Sequence, residues 1–328
     1  MNFKNKLRKL LLLLLFIMPL NVFAYSDYVI VGGNNVGIEV NSKGIMVVGF
    51  YEVDGKNIGK NAGFMIGDKI IKIADKQVNS INDMISKINE NMINDSAVFT
   101  VLRDRKEVAI NLKLTKDPKG VYKTGLYVKD QITGIGTLTY IDPNTKIFGA
   151  LGHEIIESSS NIKIEVKDGK IFGASITGIT KSTDTTTGEK NAKFNETVTY
   201  GTITENTISG IFGEYLSGFD ESRLKKVANP DEIVLGPAKI LTVLEGNNIE
   251  EFGINVLKVN RDGLTKNILF EINDEKLKNK TNGIIKGMSG SPIIQGDKII
   301  GAVTHAIVND NSKGYGIFIT TMLEEGEN

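Results

Sequence analysis

The chain has 328 residues, which at roughly 150 per domain suggests about two domains with cores that need no metal or disulfide staple. Thirty-nine Lys and Arg balance thirty-nine Asp and Glu, so no long-range field draws nucleic acid to the protein, and none is expected as a partner. Cysteine is absent and histidine occurs only at His153 and His305; thiolate nucleophiles, iron–sulfur clusters and Cys/His zinc sites are excluded, and no metal or organic cofactor is expected.

Lys4, Lys6, Arg8 and Lys9 precede an apolar run from Leu10 to Met18, then Pro19, Leu20 and Val22-Phe23-Ala24. A basic end, a short apolar core and small residues form an export signal or short membrane anchor over residues 1–24, so the protein is expected to act outside a cytoplasm, associated with a membrane at least transiently. After it come β-type runs broken by glycine: Tyr28–Val31, Ile45–Phe50, Lys69–Ile73, Ala97–Leu102 and Val108–Leu114. One helix interrupts them, with Ile81, Met84, Ile85 and Ile88 on one face and Ser80 and Asp83 as cap and acidic third position. Lys116-Asp-Pro-Lys-Gly120 is polar and turn-forming, which sets a boundary between domains at 28–116 and 121–328. Beyond it lie further short strands, Gly134–Tyr140, Ile147–Leu151, Val198–Ile203, Ile233–Val243 and Ile293–Val308, spaced as in a barrel or sandwich. Ser182–Asn195, rich in Thr, Lys and Gly, is expected at an exposed hairpin tip or loop.

Ala62-Gly-Phe-Met-Ile-Gly-Asp-Lys-Ile70, with the Ser80 helix after it, resembles the A-G-x-x-x-G-D-x-I signature of PDZ domains. Such a domain accepts an extended peptide by strand addition beside its helix. The loop around Gly33, Val36 and Gly37 lies where a PDZ domain keeps its carboxylate-binding backbone, although a plain Gly/Asn turn explains the same residues.

Gly287-Met-Ser-Gly-Ser-Pro292, followed by the strand Ile299–His305, resembles the nucleophile loop of chymotrypsin-like serine proteases. A nucleophilic serine needs a tight glycine-bearing turn, so that its hydroxyl is exposed and nearby N–H groups converge on the substrate oxyanion. Ser289 is the expected nucleophile, with the N–H groups of Gly287 and Ser289 as oxyanion hole; Ser291 stands where glycine is usual and is a rival hydroxyl. His153, at the end of Phe148-Gly-Ala-Leu-Gly-His153, precedes the serine as that chain order requires, whereas Thr304 and His305 are expected to wall the substrate cleft. The orienting acid stays open among Asp142, Asp220, Asp231, Asp262 and Asp274. The fold class is therefore mainly β, a PDZ domain followed by a chymotrypsin-like double-barrel serine peptidase domain.

Together with Gly236-Pro-Ala-Lys-Ile-Leu-Thr-Val243 and Gly134-Ile-Gly-Thr-Leu-Thr139, these segments resemble the stage IV sporulation protein B family. The resemblance implies a catalytic set of His153, Asp274 and Ser289; it alone raises Asp274 over the other acids. It further implies a sporulation-signalling serine endopeptidase located between the forespore and mother-cell membranes. Such an enzyme cuts its own N-terminal region and the extracytoplasmic part of a regulatory subunit in a membrane-embedded protease complex, leading to activation of sigma-K. Two other readings are a quality-control protease of the HtrA kind, against which the domain order argues, and a non-catalytic PDZ scaffold.

Overall fold

The computed structural model describes residues 25–183, 185–307 and 310–327. The expected export segment, 1–24, lies outside the described residues. Among those described, no helix is long and apolar enough to cross a membrane.

Strands dominate because short apolar runs alternate with polar positions, and glycine or Asx turns end nearly every run. In chain order the first elements are β1 (Tyr28–Val31), β2 (Asn35–Phe50), the single-turn helix α1 (Ile58–Asn61), β3 (Lys69–Ile73), β4 (Lys76–Gln77), α2 (Ile81–Asn91), β5 (Ser96–Arg103) and β6 (Lys106–Lys113). Ser80 caps α2 as expected, its hydroxyl accepting from the Asp83 N–H, and Met84 and Ile88 face inward. β3 pairs with β5 and β5 with β6, over a core of Ile45, Val47, Phe64, Ile70, Phe99 and Leu112. The Gly-Asp of the PDZ signature has a clear purpose. Asp68 is 1% exposed, and Arg103 grips it through Nε to Oδ1 at 2.7 Å and Nη2 to Oδ2 at 2.6 Å, tying the start of β3 to the end of β5.

A small hairpin of β7 (Thr115–Lys116) and β8 (Tyr122–Lys123) leads into β9 (Leu126–Ile141). β2 and β9, each 16 residues long, pair antiparallel along almost their whole length. Their outer halves, with Ile45, Val47 and Leu126, enclose the PDZ core; their inner halves, with Val36, Ile38 and Leu138, belong to a second core. A register shift between Asn41 and Met46 gives the bend where one sheet becomes the other.

That second core is closed by β1 and β9, β10 (Ile147–Ala150), β13 (Val166–Thr180), β14 (Glu189–Thr207) and β15 (Gly210–Tyr215), after a short excursion through β11 (Ile156–Glu157) and β12 (Ile162–Lys163). β13 pairs with β2 from Val36 to Ser42. A third core, around Ile240, Phe252, Phe270, Met288 and Ile293, is built from β17 (Gly236–Val243), β18 (Ile249–Val259), β19 (Ile268–Ile272), β20 (Pro292–Gln295), β21 (Lys298–Ile307) and β22 (Asp310–Phe318), with β16 (Leu224–Val227) paired to β21. The helix α3 (Glu275–Thr281) sits between β19 and β20. A final helix, α4 (Ile319–Gly326), inserts Ile319, Met322 and Leu323 with Tyr140, Phe212 and Ala302 into the seam between the second and third cores.

Strand pairing runs across the expected boundary between 28–116 and 121–328, because β2 and β9 each contribute to both cores. Gly33, Val36 and Gly37, expected in a PDZ carboxylate loop, are in the second unit. The Gly33 N–H donates to the Leu138 carbonyl at 2.7 Å, and Val36 and Gly37 pair with β9 on one side and β13 on the other. Their backbone is consumed by these pairings and cannot receive a peptide end. The strand beside α2 is instead the outer half of β9, whose Asp130 carboxylate accepts the Ile81 N–H at 2.7 Å. Ser182–Asn195 was expected at an exposed hairpin tip, and residues 181–183 and 185–188 do lie at the tip between β13 and β14, with Lys181, Thr183, Thr185, Thr186 and Thr187 exposed. The departure is that Ser182 and Lys190 are buried and that β14 already begins at Glu189.

Candidate active site

The seam between the second and third units opens into a cleft of about 590 Å³ whose walls include Leu151, His153, Glu154, Lys286, Gly287, Ser289 and His305. His153 arrives from β10. That strand ends at Ala150, and Leu151 and Gly152 both take left-handed backbone (φ +70° and +71°), turning the chain so that the imidazole faces the seam. The His153 Nδ1 lies 2.8 Å from the Glu154 carbonyl; a carbonyl only accepts, so Nδ1 carries the hydrogen and Nε2 keeps its lone pair. Burial holds the His153 pKa below its ordinary value, partly opposed by that bond and by the Glu154 charge, so the ring is neutral at pH 7.

Ser289 comes from the loop before β20. Gly287 and Gly290 take φ of +92° and +89°, and a Cβ on Gly290 would stand 2.1 Å from the Thr137 carbonyl, so no other residue fits there. β9 clamps this loop: the Thr137 N–H donates to the Ser289 carbonyl at 3.0 Å, the Thr137 hydroxyl to the Gly287 carbonyl at 2.8 Å and the Thr139 hydroxyl to the Gly290 carbonyl at 2.8 Å. The N–H groups of Met288, Gly290 and Ser291 are bonded within the loop or to β21. Those of Gly287 and Ser289, the expected oxyanion donors, have no intramolecular partner among the described residues. The Ser289 hydroxyl donates to the Thr304 carbonyl at 2.9 Å, a resting position that one χ1 rotation would change. Ser291 is fully buried and its hydroxyl has no partner, which removes it as a rival nucleophile facing the cleft.

The two histidines stand together, ring centroids 5.0 Å apart and tilted by 41°. Desolvation by the cleft walls, with repulsion from His153 and Lys266, pushes the His305 pKa down to about 4. Thr304 is buried, its hydroxyl donating to the Tyr315 carbonyl at 3.0 Å, so it meets the site through its main chain.

Asp274 is not brought to His153. It is the N-cap of α3, its carboxylate accepting from the Leu277 N–H at 2.9 Å and from the Gly253 N–H at 3.4 Å. The acid implied by the family resemblance therefore secures a helix in this structure, and the group bonded to the His153 Nδ1 is the Glu154 carbonyl. Sequence reasoning also missed Lys190. Its stem packs beneath Gly287, and its ammonium donates to Asn35 Oδ1 at 2.8 Å and Thr242 Oγ1 at 2.7 Å. Complete burial pushes its pKa down to about 7. Among the described residues, no group of three or more His, Asp or Glu side chains stands close enough to hold a metal ion.

The profile of the SpoIVB peptidase S55 family matches residues 120–323, 62% of the chain. The chain belongs to the SpoIVB peptidase S55 family. It is thus a serine peptidase, and a PDZ-domain profile matching residues 35–114 precedes its peptidase region. Among solved structures, the PDZ domain of the SdrC-like protein from Listeria monocytogenes matches at 22% identity, covering 28% of this chain and 93% of that one, with a TM-score of 0.24. No curated protein matches the chain.

Proposed function

We propose that this S55 peptidase is an endopeptidase in which Ser289 attacks and His153 acts as general base. The observation that carries this reading is the meeting, in one cleft, of a serine on a clamped glycine turn, a neutral histidine with Nε2 free, and two unengaged N–H groups on Gly287 and Ser289. In the first step the Ser289 Oγ bonds to the scissile carbonyl carbon and its proton passes to His153 Nε2. The oxyanion is held by the Gly287 and Ser289 N–H groups. Collapse breaks the C–N bond, and the proton on His153 leaves with the amine. Water, deprotonated by the same nitrogen, then releases the acyl group and restores the serine. The Glu154 carbonyl fixes the tautomer that both steps require.

Family membership and the PDZ match support the physiological reading. The enzyme acts in sporulation signalling between the forespore and mother-cell membranes, exported by its N-terminal segment. It cuts its own N-terminal region and the extracytoplasmic part of a regulatory subunit of a membrane-embedded protease complex, leading to sigma-K activation. The PDZ region docks a chain segment and so raises its local concentration at the peptidase.

Fluorophosphonate labelling and mass-spectrometric mapping of self-cleavage test the chemistry. The wild type is expected to label at Ser289 and cut itself, with labelling abolished in Ser289→Ala and slowed at least about a thousandfold in His153→Ala. Labelling that survives in Ser289→Ala sinks the nucleophile assignment.

A further inference from the structure

The inner half of β9 has one side closed by β2, from Thr137 paired with Asn35 to Gln131 paired with Asn41. On the other side β10 pairs only from Leu138 onward, and among the described residues no strand pairs with positions 131–136 there. The Thr137 N–H points to this open side, where it meets the Ser289 carbonyl. Main-chain groups along a strand alternate with a period of two, so those of Ile135 and Thr133 continue the same edge, away from the nucleophile. Most side chains lining the cleft beside the edge are apolar, among them Ile38, Ile132, Ile135, Leu151, Ile155 and Ile208, and its charged lining residues are Glu154 and Lys286. Ile208 is 48% exposed, and its apolar surface lacks a cover. Gly134 lies between Ile132 and Gly136 on the face that meets Ile38 and Leu151, and a Cβ placed on it would meet nothing within 4 Å.

From this we propose that β9 is the substrate-docking strand: an extended, uncharged segment rich in apolar and β-branched residues adds to the open edge at Thr133 and Ile135. One of its apolar side chains enters the space above Gly134, and the chain runs on along the edge toward Ser289, three residues of strand or about 10 Å away. The inference rests on the peptidase reading and adds its substrate class. Extended β-branched segments match the occupant because they hold the strand conformation at low entropic cost and fill an isoleucine-lined wall. A segment charged at every second residue would lose hydration against six apolar side chains, with one lining side chain of opposite sign, Lys286 or Glu154, to pair with.

Binding can be separated from catalysis with the full chain carrying Ser289→Ala. The probe is a fluorescein-labelled octapeptide of alternating Thr and Val, with a Thr/Glu counterpart, read by anisotropy. The Thr/Val peptide is expected to bind at least tenfold more tightly than the Thr/Glu peptide. Gly134→Val, which fills the space above the floor, and Ile135→Pro, which deletes an N–H on the open side while fitting an edge strand, should each weaken it at least tenfold. Circular dichroism checks that both variants fold, and Gly134→Ala replaces Gly134→Val if that one does not. Equal affinity for the two peptides, no binding of the Thr/Val peptide, or variants that bind like the parent overturn the proposal. Failure of the peptidase reading would show differently, as Thr/Val peptide bound by Ser289→Ala but left uncut and Ser289 unlabelled in the wild type.

Discussion

Asp274 and an asparagine in its place present the same short hydrogen-bonding arm, so Asp274→Asn separates a helix cap from a catalytic orienter. Asn caps helices as well as Asp does, and with the carboxylate engaged by the Leu277 N–H labelling of Ser289 is expected to persist within about threefold. Asp274→Ala should lower stability by about 1 kcal/mol. A drop of roughly 10⁴ in Asp274→Asn labelling, as when a triad acid is amidated, would instead assign Asp274 to His153. His153 and Ser289 were legible because scarcity and local turn chemistry mark them: two histidines in all, and a serine flanked by glycines. Asp274 and Lys190 were not, since their roles depend on partners elsewhere in the chain. Lys190 lies 155 positions from Asn35, to which it donates, and its Thr/Lys/Gly-rich surroundings look like solvent-exposed loop.

β9 shows what periodicity can and cannot carry. Gly134–Tyr140 was expected as a strand and is part of one, but nothing in its alternation says that Thr137 and Thr139 turn their hydroxyls to the nucleophile loop. Both are fully buried, and each occupies one loop carbonyl. Thr137→Val keeps the shape and removes one donor, leaving the Gly287 carbonyl unpaired at a cost of about 1–3 kcal/mol. The expected outcome is a lower urea midpoint together with slower fluorophosphonate labelling, because the loop that sets the Gly287 and Ser289 N–H groups loses an anchor. Unchanged labelling in a destabilised Thr137→Val would restrict the clamp to a structural role. The PDZ signature, being local, gave its turn, strand and helix correctly. The carboxylate loop did not follow, because pairing of β2 with β13 is a contact across more than a hundred residues.

At the scale of the molecule, two strands cross between the PDZ and peptidase regions, and each contributes side chains to both cores. Such a connection should make unfolding one transition. Asp68→Ala, which removes the buried acceptor of Arg103 and of the Met65 N–H, is expected to cost about 1–3 kcal/mol, since the partly exposed Arg103 can turn to water. It lies in the PDZ region, yet tyrosine fluorescence and Ser289 labelling should lose their native signals at the same lowered urea concentration. Two separate midpoints would show that the regions melt independently. The shared strand also has a consequence for control. From Asp130, which accepts the first N–H of α2, to Thr137 beside Ser289 is seven residues, about 23 Å of continuous strand. Any displacement of β9 by a ligand at the helix is therefore felt where Thr137 holds the nucleophile loop. By reciprocity, the factor by which such a ligand tightens or loosens substrate is the factor by which substrate changes the ligand's own affinity, so cargo in the cleft would set how tightly the PDZ end holds its ligand.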